Sequence, residues 1–318
     1  MPRPTVSVII PTYNRASMLR QALESVRLQG VEDVEIIIVD SHSTDETLQV
    51  IQEFQPGILH LQQKRLGVAA ARNLGIRNAS APFIAFLDSD DLWLADKLKR
   101  QLDFLQQHPE VALVYARMWS YSVESPQKRR LDPPTVARSF EQLLNGRNTV
   151  TTSTVIVRRE CFDTVGVFNP HLRAAEDHEL WLRILRQFPI AFMDEVMAEY
   201  RRHGISINTD PPLLYDGYRR YFEIILNEYR PWLKNPRAAE RHLAKFEYLC
   251  GTTALKKGEA RRAVGLVGRA LQRDRWLGKQ FIRQETSWPQ KLWLPIKPYA
   301  ALTVSVVRSA AAPRGGRS

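Results

Sequence analysis

Over its first 120 residues the chain alternates short apolar runs with segments whose apolar positions recur at helical spacing. Residues 6–10, 35–39, 58–62 and 83–87 read as strands. Residues 16–28, a segment beginning near Thr44, the alanine-rich 68–78 and a long 92–107 read as helices. VSVII and EIIIVD are unbroken apolar runs, as strands buried on both faces of a parallel sheet require. The order βαβαβαβα predicts an α/β fold, a mostly parallel sheet flanked by helices. Ligands of such sheets sit beyond the carboxyl ends of the strands. Those ends carry Pro11-Thr12-Tyr13-Asn14, Asp40-Ser41-His42-Ser43 and Asp88-Ser89-Asp90-Asp91, so two of the three tips on one edge are acidic.

The pattern then changes. Residues 121–148 are polar and proline-bearing and predict a mobile surface excursion. TTSTVIVRRECF predicts a strand leading into a short helix. A strongly amphipathic helix follows, with Glu176 and Asp177 at its start and Leu180, Trp181, Ile184, Leu185 and Phe188 on the face to be buried. Beyond Pro212 the pattern is all helical. EYLCGTTALKKGEARRAVGLVGRALQRD resembles a single helix-turn-helix of the tetratricopeptide kind, with Gly258 at the turn. The break divides residues 1–210 from a helical C-terminal region, 211–318.

Charge sharpens that division. The net charge is +11, but residues 1–210 carry −2 and residues 211–318 carry +13. A basic region of this kind suits an anionic partner, either a membrane surface or nucleic acid, or is simply a soluble tail. It lacks the interleaved aromatics of a base-stacking surface, which disfavours nucleic acid. Trp288, Trp293 and Tyr299 lie among Lys and Arg near the end, as an interfacial anchor or a helix docked on the domain. Cys161 and Cys250 are far apart, without disulfide or zinc spacing, and suit a reducing compartment. VSVII is cut off by Pro11 and reads as a strand, not a signal peptide. No apolar run is long enough to span a bilayer. The expected location is cytoplasmic, either free or peripheral on the inner face of the plasma membrane.

FLDSDD places three carboxylates in four positions. Charges that close repel unless a cation joins them. Two apart in an extended segment, Asp88 and Asp90 point the same way and can converge on one hard divalent cation, Mg²⁺ or Mn²⁺, that keeps room for phosphate oxygens. Asp91 reads as the cap of the next helix or as outer support. Asp40 is a turn residue or an acceptor for a base-edge N–H. Arg72 reaches a phosphate or base, or lies on a solvated helix face; Lys64 and Arg65 do likewise. Glu176 and Asp177 suit a helix start on electrostatic grounds alone, and equally a general base for a sugar hydroxyl. His203 is an exposed histidine or a third metal ligand.

In order along the first 210 residues, VSVIIPTYNR, EIIIVDSHSTDET, RLGVAAARNLGI, FLDSDD, EDHELWLR and YRRHGIS resemble the family 2 glycosyltransferases of the GT-A fold. The resemblance implies a nucleotide-sugar-binding half over residues 1–120 and an acceptor-binding half over 121–210. It implies that Pro11, Thr12, Tyr13, Asp40, Arg72, Asp88 and Ser89 bind the donor, and that Asp90, Asp88 and His203 serve the metal, Asp90 directly. Asp177 is implied as the catalytic base, with Glu176 orienting the acceptor. The implied reaction is an inverting transfer from a nucleotide-diphosphate sugar, UDP-linked by preference, to a glycan or lipid-linked acceptor in surface polysaccharide or glycoconjugate synthesis. The cofactor is then a divalent cation, Mn²⁺ or Mg²⁺. Where the family more often has an acid and a glycine after Asp40, this chain has Ser41 and His42. A sugar nucleotidyltransferase, or a degenerate nucleotide-sugar-binding protein, is the alternative; PTYNR is a poor substitute for the glycine-rich loop of the former. No GxGxxG suggests a dinucleotide enzyme. An aspartate-nucleophile phosphatase would carry its acid pair on the first strand, not the fourth.

Overall fold

The computed structural model describes residues 3–64, 67–122, 124–131, 140–145, 150–203 and 211–274. The chain forms two compact units, Met1–Thr209 and Asp210–Ser318. The first is built on one sheet. Its parallel half alternates β1 (Val6–Thr12), α1 (Ala16–Arg27), β2 (Val34–Asp40), α2 (Thr47–Glu53), β3 (Ile58–Gln62), α3 (Val68–Asn78) and β4 (Phe83–Phe86). Then come β5 (Leu92–Trp93), α4 (Lys97–Gln107), β6 (Leu113–Ser122), β7 (Ser125–Leu131), α5 (Phe140–Asn145), a 3-10 turn at Thr152–Thr154, β8 (Ile156–Arg158), α6 (Cys161–Val165), α7 (Glu176–Gln187) and β9 (Ile190–Arg202).

The strands stand in the order β3-β2-β1-β4-β8-β6-β9-β5, with β7 paired to β6. β1 lies at the centre of the parallel half, paired with β2 and β4, and all seven of its residues are buried. That is why VSVII carries no polar alternation except Ser7. β8 is antiparallel to both β4 and β6. β6 therefore runs in the direction of β1, and β9 is parallel to β6. The carboxyl ends of β1, β2, β4, β6 and β9 consequently share one edge of the sheet, where the acidic tips lie.

Several expectations are corrected here. The helix expected over residues 92–107 starts only at Lys97. Leu92 and Trp93 pair instead with Glu199 and Ala198 of β9, and Asp96, with φ of 62°, begins the helix. Asp91 therefore caps no helix. α2 starts at Thr47, because Ser43, Thr44 and Asp45 are engaged with the loop after β1. The excursion expected from residue 121 holds instead the end of β6, the antiparallel β7 and α5. On α7 the buried apolar residues are Leu180, Trp181, Leu182 and Ile184, while Leu185 and Phe188 are only half-buried.

The second unit contains α8 (Pro211–Asn227), α9 (Pro236–Lys256) and α10 (Ala260–Arg273). α9 and α10 turn at Gly258, whose φ of 79° favours a residue without Cβ. Among the described residues no helix is long and apolar enough to cross a membrane. The aromatic segment containing Trp288, Trp293 and Tyr299 lies outside the described residues, as does Arg65.

Candidate active site

The loops after β1 and β2 are stitched together. In register, Thr12 lies beside Asp40 and Asp40 beside Gln62. Asp40 is buried and accepts from the Ser43 hydroxyl at 2.5 Å and the Ser43 N–H at 3.2 Å. Asn14 accepts from the Thr44 N–H at 2.7 Å. His42 takes a φ of 58°, a left-handed conformation that a glycine would adopt without a Cβ clash. Asp45 accepts from the Ala16 N–H at 3.1 Å and so caps α1 from the neighbouring loop. Pro11 and Thr12 are buried and Tyr13 is half-buried at the same edge. Thr12 Oγ1 is buried without a hydrogen-bond partner among the described residues. Lys64 is exposed and joins none of these contacts.

Arg72 is 3% exposed on the buried side of α3, so the solvated-face reading is excluded. It donates to Asp88 at 2.6 Å and to Glu176 at 2.8 Å, joining the end of β4 to the start of α7. Burial opposes its charge, but Asp88, Glu176 and Asp177 outweigh that and raise its pKa. Burial, with Asp177 adding to it, pushes the Glu176 carboxyl up to about 7 against the pull of Arg72. Asp88 is also raised, by burial first; Arg72 opposes this, while Asp90 and Asp177 add to it. Asp177 is half-buried, its Oδ2 accepting from Thr152 Oγ1 at 2.8 Å and its Oδ1 from the His178 N–H at 2.7 Å.

Asp90 faces other partners than Asp88 does. Its carboxylate lies 2.8 Å from His203 Nε2 and 3.5 Å from the Arg15 guanidinium. Arg201 donates to its backbone carbonyl at 2.6 Å. The three expected metal ligands thus do not gather: Asp90 and His203 touch, while Asp88 is tied to Arg72. Among the described residues no three His, Cys, Asp or Glu side chains form a metal-ligating group. One carboxylate and one imidazole side by side still fit a Mg²⁺ or Mn²⁺ ion that takes few protein donors and completes its shell with phosphate oxygens and water.

The 3-10 turn at Thr152–Thr154 is what the sequence reading missed. Thr152 holds Asp177. Ser153 donates to Asp91 at 2.5 Å and accepts from the Asp88 N–H at 3.2 Å. Its carbonyl accepts from Trp93 Nε1 at 2.7 Å. Behind it, the fully buried Lys97 donates to Gln101 at 2.7 Å, and Gln101 donates to the Thr154 carbonyl at 2.9 Å. Burial pushes the Lys97 amine well below its usual range and Asp91 well above, with Asp88 and Asp90 adding to the latter. Of the expected residues, Arg72, Asp88, Glu176 and Asp177 form one cluster and Asp90 and His203 another. Pro11, Thr12, Tyr13 and Asp40 form the loop wall, and Ser89 is buried within the turn between Asp88 and Asp90.

Comparison with known proteins completes this picture. Residues 7–166 match the family model for glycosyl transferase family 2. TuaG, a glycosyltransferase of Bacillus subtilis (strain 168) whose name assigns it provisionally to teichuronic acid biosynthesis, is 32% identical over 218 residues, covering 65% of this chain and 83% of that protein. The structure of S. aureus TarS residues 1–349 with UDP-GlcNAc superposes with a TM-score of 0.63 at 22% identity, covering 85% of this chain and 81% of the other. The mannosyltransferase PcManGT of Pyrobaculum calidifontis, in complex with GDP-Man and Mn²⁺, gives 0.57 at 17% identity, over 98% and 87%. Those two likenesses show the GT-A fold. With half the chain matched by the family model and a relative of this identity matched over most of its length, the chain belongs to glycosyl transferase family 2.

Proposed function

We propose that this family 2 glycosyltransferase carries out an inverting, metal-dependent transfer from a nucleotide-diphosphate sugar, UDP-linked, to a hydroxyl of a glycan or lipid-linked acceptor in surface polysaccharide or glycoconjugate synthesis. The observation that carries this reading is Asp177. It is a carboxylate at the first turn of α7, fixed by Thr152 and by its neighbour's N–H, beside the Arg72–Glu176–Asp88 cluster. A base for a sugar hydroxyl needs a rigid acceptor within hydrogen-bond reach of the proton it takes. The bound donors named for TarS and PcManGT support a nucleotide-sugar here, and the latter's Mn²⁺ supports a cation.

In this reading Asp40, Thr12, Tyr13 and Pro11 receive the nucleoside at the stitched loops. Ser89, Asp88 and Arg72 lie along the diphosphate. Asp90 and His203 would hold a divalent cation, which would supply positive charge to offset that of the departing diphosphate. Asp177 accepts the acceptor hydroxyl's proton while that oxygen attacks the anomeric carbon from the face opposite the leaving group. The carbon–oxygen bond to the diphosphate breaks and the diphosphate leaves with the electron pair. Glu176, held by Arg72, orients the acceptor. The first unit then divides into a donor half, residues 1–120, and an acceptor half, 121–210. The basic residues of 211–318 hold the enzyme to an anionic membrane surface, on the cytoplasmic side.

Heats of binding for UDP, GDP, dTDP and CMP, each with and without Mn²⁺, test this directly. One diphosphate is expected to bind only with metal, and Asp90→Ala to abolish that binding. Asp177→Asn is expected to keep donor binding and lose transfer by about a hundredfold or more. Transfer at the native rate by the Asn variant removes Asp177 as base; metal-dependent binding without any turnover favours a degenerate nucleotide-sugar-binding protein.

A further inference from the structure

We propose that the cleft at the ends of β6, β7 and β9 is a subsite for an anionic segment of the acceptor, bearing phosphate diesters or uronate carboxylates; it rests on the transferase reading above. β6 and β9 finish side by side at Ser122 and Arg202, on the sheet edge shared with the catalytic turn. With Gln127, Lys128 and Arg129 of β7 these residues line a cleft of about 430 Å³. That falls within the roughly 300–1,000 Å³ of small-molecule sites. Three of the five described lining residues are cations and none of the five is acidic.

The charges are not equally spent. Lys128 is ion-paired with Glu199, which offsets it. Arg129 and Arg202 are exposed and make no ion pair with any described residue. Glu124, the acid of the connecting turn, meets Ser122 only through its backbone N–H. Two guanidiniums therefore face solvent over a polar floor of Ser122 and Gln127. Their planar forks match the paired oxygens of phosphate and carboxylate. A neutral sugar would find no aromatic face among the described lining residues.

Position ties the cleft to the edge of the sheet that carries the site. Arg201 and His203, on either side of Arg202, both contact Asp90. Alternation along the strand turns Arg202 to the opposite face, away from the Asp90 contacts. The cleft is therefore one residue from the catalytic edge and yet apart from the contacts assigned to the donor diphosphate. An extended acceptor crossing the strand ends can lay one unit at Asp177 and a later, charged unit between Arg129 and Arg202.

The test uses the full chain saturated with UDP and Mn²⁺, titrated in a calorimeter with a glycerol phosphate oligomer, an oligogalacturonate and a neutral dextran oligomer. At least one anionic oligomer is expected to bind, more weakly as salt rises, and dextran not to bind; the oligomer preferred names the anion. Arg129→Gln with Arg202→Gln is expected to weaken that binding about tenfold or more while the UDP affinity and thermal midpoint stay unchanged. Equal binding by the double variant would place the anion elsewhere, on the basic C-terminal unit for instance, and overturn the proposal. So would failure of both anions to bind. If UDP itself fails to bind, the donor reading falls, and the same titrations without nucleotide still decide the cleft.

Discussion

Arg72 holds together two carboxylates that would otherwise repel each other between β4 and α7, and its burial makes that hold expensive to release. Burial, with Asp177 adding to it, nevertheless holds Glu176 at about 7 in the folded state, above its ordinary 4.5. An acid raised in the folded state binds its proton more tightly there than in the unfolded chain. Below pH 4.5 both states are protonated and nothing is lost. As pH rises from 4.5 to 7 the unfolded chain gives up the proton first, so stability falls across that window and stays lower above it. Glu176→Gln keeps an oxygen for Arg72 and removes the titration. Urea unfolding across pH 4–8 should show a wild type losing on the order of 1–3 kcal/mol more than the Gln variant over this window. Parallel pH dependences in the two proteins would mean Glu176 is not the group responsible. The two acids were legible as candidates because they open an amphipathic helix, but the sequence left Arg72 a choice between a site and a solvated face. Only the 104-residue span from Arg72 to Glu176, closed by the fold, decides it. Thr152 and Ser153 left a fainter trace: four consecutive hydroxyl residues, Thr151 to Thr154, ahead of an apolar strand give no hint of which carboxylates they meet.

Helix α3 brings Arg72 to its partners by lying unusually close to β1. A Cβ at Gly75 would stand 2.5 Å from Ile9 Cγ2 and 3.1 Å from Cγ1. Ile9 is fully buried and β-branched, so it has little room to turn aside. One residue after Arg72, Asn73 locks the helix to the loop between α6 and α7, donating to the Phe168 carbonyl at 2.8 Å and accepting from the Phe168 N–H at 2.9 Å. Gly75→Ala, which at an ordinary helix position would gain roughly 0.5–1 kcal/mol, should here cost about 1–3 kcal/mol. A denaturant melt in which the Ala variant is the more stable would show that α3 has room to move off β1. These parallel elements were legible because doubly buried strands leave contiguous apolar runs and each is followed by its helix. The elements beyond them were not. Leu92, Trp93 and Leu94 continue the apolar spacing of Leu98, Leu102 and Leu105, so periodicity alone drew the helix back to residue 92. Their real partner, the Met197–Glu199 segment, is a hundred residues away. β6 and β9 mix apolar residues with buried or paired charges such as Arg201 and Glu199, which hides two strands whose longest pairing is with each other.

Across the whole chain, charge is segregated by unit: −2 over residues 1–210 and +13 beyond. Inside the second unit some of that charge is consumed, since Glu247 is 1% exposed and paired with Arg269 and Arg273. The turn between α8 and α9 is different. There Trp232 is 43% exposed, and Arg230, Lys234 and Arg237 around it are exposed as well. An indole surrounded by cations suits the boundary of an anionic bilayer, the ring at headgroup depth and the cations on lipid phosphate. Three exposed cations against one exposed acid, Glu228, at about 1 kcal/mol per net charge near such a surface, would supply roughly 2 kcal/mol, enough for weak attachment that salt would release. The full chain should therefore sediment with phosphatidylglycerol-rich vesicles at low salt, lose them at high salt, and ignore phosphatidylcholine vesicles. Trp232→Ala should weaken that sedimentation several-fold, because the indole adds apolar contact the cations cannot replace. Undiminished binding by this variant would move the attachment away from the α8–α9 turn. Binding to neutral vesicles as tight as to anionic ones would dissociate the positive charge of residues 211–318 from the membrane altogether.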